Sequence, residues 1–328
     1  MSIISEEYLS IIIPSYNSAS TVGSLIKSIN SANLFNTEII VIDDASIDGS
    51  KKIIEHELQN IDNAVFIVNE TNMGAGISRN SGLKAATGKY VLFLDSDDIF
   101  HADAVKDAIH LMDVTSDIDV AIFQYKYKTD VGDGYSGMSY IDEQIFSRVL
   151  DGKSKRIVTI NNYPELTRIS NYPWNKVIRN SHYNDNLLFG STKVHNDIYA
   201  SWHMLTKARK ILVSDAVICT HILNSHGGNL TNLQSKERLE LFIALTDTYE
   251  MLEVSPHIRK ICAIHFWDLA TSLASWSRSR IEDEFEFDFN LAYDKLIEKI
   301  NLEDILILRK CGYSAVLDSI TDRMLCLG

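Results

Sequence analysis

Three aspartates close one apolar run. The segment GKYVLFLDSDDIF, residues 88–100, carries Tyr90, Val91, Leu92, Phe93 and Leu94 and then breaks into Asp95, Ser96, Asp97 and Asp98. A short aromatic and β-branched run after a glycine reads as a strand covered on both faces. Carboxylates gathered within a few Å repel one another unless a positive charge lies among them. Asp95-Ser96-Asp97 offers hard oxygen donors of the kind that hold Mn²⁺ or Mg²⁺ and leave positions open to phosphate oxygens. The plain alternative is that Ser96, Asp97 and Asp98 cap the next helix, a role these residue types favour.

A further acid sits downstream. Asp197 follows Lys193-Val194-His195-Asn196 and precedes the helical spacing of Ile198, Trp202 and Leu205. A helix start favours the ionised carboxylate, and a positioned carboxylate can take the proton of an attacking hydroxyl. Asp197 is therefore the candidate general base, with Asp185 and His195 next in order. The competing reading makes Asn196 or Asp197 only an N-cap. Tyr172-Pro173-Trp174-Asn175-Lys176 sets an aromatic ring beside an amide and an ammonium, which suits sugar faces and hydroxyls, or else a Trp held in the core. His221 and His226, in a glycine-bearing stretch from Cys219 to Leu230, read as phosphate contacts or as surface residues.

The elements that must position these residues alternate in type. Leu9 to Ile13 reads as a first strand ended by Pro14-Ser15-Tyr16-Asn17, and Ser18 to Ile29 as a helix with Val22, Leu25, Ile26 and Ile29 on one face. Glu38 to Ile42 is a second strand that ends in Asp43-Asp44, Asp48-Gly49-Ser50 starts a helix, and Ala64 to Val68 is a third strand. A loop from Asn72 to Ser78 and a helix from Arg79 to Ala86 lead to the acid-bearing strand. Further on, a helix carries Val105, Ile109 and Met112, Val120 to Phe123 and Ile211 to Val217 read as strands, and Lys128 to Gly137 as a mobile loop. Alternation with short connections implies a parallel, doubly wound α/β sheet, in which ligands bind at the carboxyl ends of the strands. Gly74-Ala75-Gly76 is not a dinucleotide fingerprint, because it follows the third strand and Arg79 stands where a third glycine belongs.

Composition narrows the class. A formal charge of −13 over 328 residues argues against a nucleic-acid binder and suits a protein that needs metal to hold an anionic substrate. Cys219, Cys262, Cys311 and Cys326 show no CxxC or zinc spacing, so reduced thiols in a reducing cytosol are expected. The N-terminal stretch MSIISEEYLSIIIP has no basic region before its apolar run, so no signal peptide is expected, and no stretch reaches the roughly 20 apolar residues of a membrane span. Beyond Gln234 helical periodicity takes over, through Arg238 to Leu252, Ile258 to Trp276, Leu291 to Ile300 and a last helix, Leu302 to Lys310, capped by Asn301. Arg259, Lys260, Arg278 and Arg280 flank the aromatic-rich segment, which leaves peripheral membrane contact or a homodimer open, while the acidic run 281–290 opposes anionic lipid.

With these residues placed, the chain from 1 to 233 resembles a family 2 glycosyltransferase of the GT-A nucleotide-sugar fold, followed by a helical C-terminal region, 234–328. The resemblance rests on SIIIPSYNSAS, EIIVIDDASIDGS, NMGAGISRNSGLKAATGKYVLFLDSDD and PWNKVIRNSHYNDNLLFG, in that order. It implies an inverting, metal-dependent hexosyltransferase that uses a UDP-sugar to extend a saccharide or lipid-linked acceptor in surface polysaccharide biosynthesis, on the cytosolic side of a membrane. It implies that Pro14, Tyr16, Asn17 and Asp44 hold the nucleobase and ribose, Asp44 accepting from the uracil N–H. Arg79, Asp95 and Ser96 would help bind the nucleotide, and Asp97 of the DXD motif would be the main ligand of Mn²⁺ or Mg²⁺. Trp174, Asn175, Lys176, His195, Asn196 and His221 fall on the acceptor or donor-sugar side. Many members carry Glu-Asp where this chain has Asn196-Asp197, which puts the orienting role of that Glu in doubt. Two other classes compete. A nucleotidyltransferase would show a glycine-rich basic phosphate loop after the first strand, which PSYNSAS is not. A receiver-like interaction protein would use the Asp43-Asp44 pair without the other acids.

Overall fold

The computed structural model describes residues 8–32, 34, 36–129, 135–223 and 233–325. Strands β1 (Leu9–Ser15), β2 (Thr37–Asp43), β3 (Ala64–Val68) and β4 (Tyr90–Phe93) lie in the order β3-β2-β1-β4, all parallel. Helices α1 (Val22–Ser31), α2 (Ser50–Leu58) and α3 (Ala75–Ala85) connect them. The two-residue period of a strand, with both faces of the sheet covered, explains why β1 is buried throughout. Ile12 points into one core with Ile40, Ile42, Val91 and Phe93, whereas Leu9, Ile11 and Ile13 join a second core on the opposite face with Val41, Leu92 and the apolar stripe of α1.

Beyond β4 the sheet becomes mixed. The two-residue strand β5 (Ile99–Phe100) is followed by α4 (Asp103–Val114) and by β6 (Ile118–Thr129). The short strand β7 (Tyr135–Ser136), α5 (Tyr140–Leu150) and β8 (Lys155–Val158) lead on to β9 (Lys176–Arg179). Strand β9 is wedged antiparallel between β4 and β6. After the short helix α6 (Asn180–Tyr183) and α7 (Ile198–Lys207), β10 (Lys210–Leu223) runs parallel to β6. Bulges around Ser214 to Cys219 shift the register along the 14 residues of β10, which pairs on its other edge first with β8 and then with β5.

The remaining chain is helical: α8 (Glu240–Glu253), α9 (Pro256–Arg278), α10 (Glu286–Ile297), α11 (Leu302–Lys310) and α12 (Ser314–Leu325). Their apolar faces belong to the same core as one face of the sheet, since Leu241, Phe266, Leu296 and Ile320 share it with Ile12, Phe93 and Trp202. A fully buried Asp304 locks these helices together. Its carboxylate accepts from Tyr249 Oη at 2.6 Å, Trp267 Nε1 at 3.0 Å and Arg259 Nη1 at 2.5 Å. Asn301 caps α11 by accepting from the Asp304 N–H at 2.9 Å, as its position predicted.

Several boundaries depart from the sequence reading, each for a tertiary reason. Helix α3 begins at Ala75, not Arg79, because Gly74 turns the chain with φ 88° and Gly76 fits a close helix contact that a side chain would block. Residues 219–223 belong to β10 and not to a loop, because β6 and β5 supply partners on both sides. Helix α12 follows the helix expected to be last, with Val316 and Ile320 turned inward. His226, with residues 224–232, and Cys326 lie outside the described residues.

Candidate active site

The acids at the end of β4 differ in their partners. Asp95 accepts from Arg79 Nη2 at 2.6 Å. Asp98, nearly buried, accepts through Oδ1 from His221 Nδ1 at 2.8 Å and from the Ile222 N–H at 3.2 Å, while its Oδ2 is buried without a partner. Burial opposes the charged form of His221, but the hydrogen bond to Asp98 and the charges of Asp98, Asp95 and Asp97 together raise its pKa. Asp97 has no cationic side chain bonded to it among the described residues. Burial first, and then the charges of Asp98 and Asp95, push its carboxyl up to about 6. The capping alternative is not realised here, since β5 follows these residues and the next helix starts at Asp103.

Whether a divalent cation fits can be judged from these donors. Among the described residues no three His, Cys, Asp or Glu side chains form a ready cage. A hard ion with open positions does not need one, because one or two carboxylates plus diphosphate oxygens complete its shell. Asp97, an oxygen donor crowded by Asp98 and Asp95 and with only the charge of His221 to offset them, fits that demand.

At the carboxyl ends of β1 and β2 a second group converges. Pro14 lies within β1, Tyr16 is half exposed, and Asn17 adopts φ 49° so that its Oδ1 accepts from the Ile47 N–H at 2.9 Å. The buried Asp44 accepts from Asn69 Nδ2 at 2.7 Å and the Met73 N–H at 2.9 Å through Oδ1, and from the Gly74 N–H at 2.7 Å through Oδ2. A carboxylate offers about four lone-pair sites, so one site on Oδ2 remains for a ligand N–H. Asp44 thus shapes the loop that leads into α3. Ser96 is partly accessible between Asp95 and Asp97.

The acceptor-side segment stands largely behind the surface. Trp174 is fully buried, stacked on Tyr172 at 4.5 Å and on His221 at 5.5 Å between ring centroids. Its ring therefore backs His221 and has no face to offer a sugar directly. Asn175 and Lys176 are equally buried, and the Lys176 ammonium donates to Tyr172 O and Asn175 Oδ1 at 2.8 Å and to Ser170 O at 3.3 Å. Burial lowers its pKa to about 7, against the pull of Asp142 and Asp197.

Asp197 begins α7, yet its side chain makes no capping bond. Burial raises its carboxyl to about 6, Arg79 and Lys176 opposing the shift and Asp95 adding to it. That is a carboxylate ionised at neutral pH and basic enough to accept a proton. His195 is held down at about 4 by burial and by Arg238, and so is neutral there. Asn196 accepts from Arg79 Nη1 at 2.9 Å. Sequence reasoning did not find this link, nor the Asp98 to His221 pair: the partners are 117 and 123 residues apart, and only the folded sheet brings them together.

An α/β sheet with acids at the carboxyl ends of β2 and β4 places a ligand site at those ends. The Glycosyl transferase family 2 pattern matches residues 10–182, and the chain belongs to that family. "Glycosyltransferase GlyA" of Streptococcus pneumoniae serotype 4 is 22% identical over 284 residues, 85% of this chain and 39% of that protein. "UDP-Glc:alpha-D-GlcNAc-diphosphoundecaprenol beta-1,3-glucosyltransferase WfgD" of Escherichia coli is 38% identical over 109 residues, 33% of this chain and 42% of that protein. The chain thus spans well under two thirds of the length of these curated relatives. Among solved structures, S. aureus TarS 1-349 in complex with UDP superposes with a TM-score of 0.73 at 22% identity, covering 96% of this chain and 89% of that one. Mannosyltransferase PcManGT from Pyrobaculum calidifontis, in complex with GDP-Man and Mn²⁺, gives 0.55 at 12% identity, covering 97% and 86%. These likenesses establish the GT-A fold with its helical C-terminal region.

Proposed function

We propose that this chain is an inverting, metal-dependent hexosyltransferase that moves a sugar from a UDP-sugar to a saccharide or lipid-linked saccharide in surface polysaccharide biosynthesis. The observation that carries the reading is Asp197, a partly buried carboxylate raised to about 6 with no side-chain capping bond, in the same charge network as an acid cluster whose Asp97 has no cationic side chain bonded to it among the described residues. Asp197 takes the proton of the acceptor hydroxyl as that oxygen attacks the anomeric carbon, which inverts the configuration. Pro14, Tyr16, Asn17 and Asp44 bind the uridine, with Asp95 and Ser96 beside the diphosphate. His195 and Asn196 border the sugar, and Trp174, Asn175, Lys176 and His221 support that wall from behind. Asp97 would hold Mn²⁺ or Mg²⁺, which, when bound, stabilises charge on the departing diphosphate.

The choice of donor and pathway is supported by relatives. TarS has been seen with UDP and with UDP-GlcNAc. The names of WfgD, "Amylovoran biosynthesis glycosyltransferase AmsB" and "Putative teichuronic acid biosynthesis glycosyltransferase TuaG" refer to UDP-Glc or to surface polymers. We place the transferase domain at 1–233, in the cytoplasm at the inner face of the membrane. Residues 234–328 are the region for homodimer or peripheral membrane contact. Among the described residues no helix is long and apolar enough to cross a membrane. Incubation with a panel of UDP-sugars and Mn²⁺ should give slow release of UDP, and NMR of the first product should show inversion. Pyrophosphate exchange with a nucleoside triphosphate and no UDP would instead make it a nucleotidyltransferase.

A further inference from the structure

Helix α3 meets the acceptor-side segment at three successive points. At Gly76 an added Cβ would lie 2.0 Å from the Gly190 carbonyl oxygen and 3.0 Å from Asn196 Cβ, so the two backbones touch. One turn further, Asn80 closes a pair of hydrogen bonds with the backbone of Phe189, Nδ2 donating to its O at 3.0 Å and Oδ1 accepting from its N–H at 2.8 Å. Between them lies Arg79, whose side chain is 6% exposed. Its guanidinium stands over the Phe189 ring at 5.4 Å and donates from Nη1 to Asn196 and from Nη2 to Asp95.

We infer that Arg79 is a positioning residue. It ties the acid at the end of β4 to the turn that carries Asp197, and so sets the register between the donor and acceptor halves of the cleft. Resemblance alone would make it a nucleotide ligand. The geometry adds a second role: Nη1 and Nη2 each donate to a protein oxygen and the side chain is 6% exposed, so the group is held between two segments of the protein. A planar guanidinium fixes two acceptors in one plane, which an ammonium cannot do. The side chain of Asp197 makes no capping bond, so the tethers across to α3 and Gly190 fall on its neighbour Asn196. The backbone of Asn196 is pinned by the Gly190 N–H at 2.8 Å and its side chain by Arg79. Releasing Arg79 therefore shifts the base relative to the donor. Asp44 and the loop 69–74, which bond to one another and not to Arg79, stay in place. Misplacement by about 1 Å lowers turnover about 10²-fold.

The inference rests on the proposed role of Asp197, and the test separates the two. Arg79→Lys, Asn196→Ala and their double variant are compared with wild type for UDP dissociation constant by calorimetry, for kcat with the donor found in the screen, and for melting temperature. Both single variants are expected to lose about 10²-fold in kcat, with UDP affinity within about twofold of wild type and the double variant no slower than the worse single one. Should Arg79→Lys fail to fold, Asn196→Ala alone makes the same split. Wild-type transfer combined with a tenfold or greater loss of UDP affinity in Arg79→Lys, or multiplicative losses in the double variant, would overturn the inference alone. Absence of transfer by the wild type with every UDP-sugar would remove the functional reading and the inference together.

Discussion

Asp97 and Asp98 are neighbours in sequence with opposite assignments, and contact explains the difference. Asp98 has His221 and Asp95 has Arg79, whereas Asp97 has no such bond among the described residues and is the proposed metal ligand. Asp97→Asn should lower kcat by about 10²–10³-fold, the range seen when one group stabilising transition-state charge is removed, while the fold survives. Undiminished turnover of the variant, or of wild type in a chelator, would sink the metal assignment. At Asp197 the pH dependence has a definite sign. If Asp197 acts in its proposed role as base it must be ionised, so kcat/KM should fall about tenfold per pH unit below about 6, and Asp197→Asn should abolish transfer at every pH. Stability runs the other way. The folded value of about 6 lies above an unfolded value of about 3.9, so protonation stabilises the fold. That contribution is complete below about pH 4 and gone above about pH 6. Asp197→Asn should therefore melt about 2–4 °C higher than wild type at pH 8 and no higher at pH 4. A lower melting temperature at pH 8 would mean that the carboxylate is needed for structure.

At the scale of elements, α3 governs the distance between the two halves of the cleft. Gly76→Ala places a methyl against the Gly190 carbonyl, a backbone atom that cannot swing aside. The expected loss is about 1–3 kcal/mol of stability, as for other overpacked contacts, with kcat falling more than UDP affinity. Denaturant titration and turnover measured together would check it, and unchanged values of both would show that the contact is loose. This element also marks what the sequence could reveal. The apolar runs of β1, β2, β3 and β4 and the acids after them were legible, because buried parallel strands and their carboxyl ends leave a local signal. The start of α3 was not, because Gly74-Ala75-Gly76 reads as a loop until Gly190 is known to lie against it. Trp174 was equally ambiguous: the same ring suits a sugar or a core, and only the stack with Tyr172 and His221 decides. Residues 219–223 looked like loop because their strand character comes from β6 and β5, far away in sequence.

Across the whole molecule, the helices after residue 236 complete one core with the sheet, since α8 and α9 pack on the face that also holds α7, the helix begun by Asp197. Their stability and the placement of Asp197 should therefore be linked. Asp304 offers the test, because it is buried beneath Arg259, Tyr249 and Trp267 and lies far along the chain from the cleft. Asp304→Ala removes the carboxylate and leaves the Arg259 charge, itself only 11% exposed, without that partner. Breaking a buried pair from one side costs about 3–5 kcal/mol, so the midpoint of denaturant unfolding should drop markedly. If sheet and helices share one core, ellipticity and UDP binding should be lost together at that lower midpoint. Early loss of helical signal with UDP still bound would show that the C-terminal helices melt as a separate unit. In that case the position of Asp197 would depend on α3 and the sheet alone.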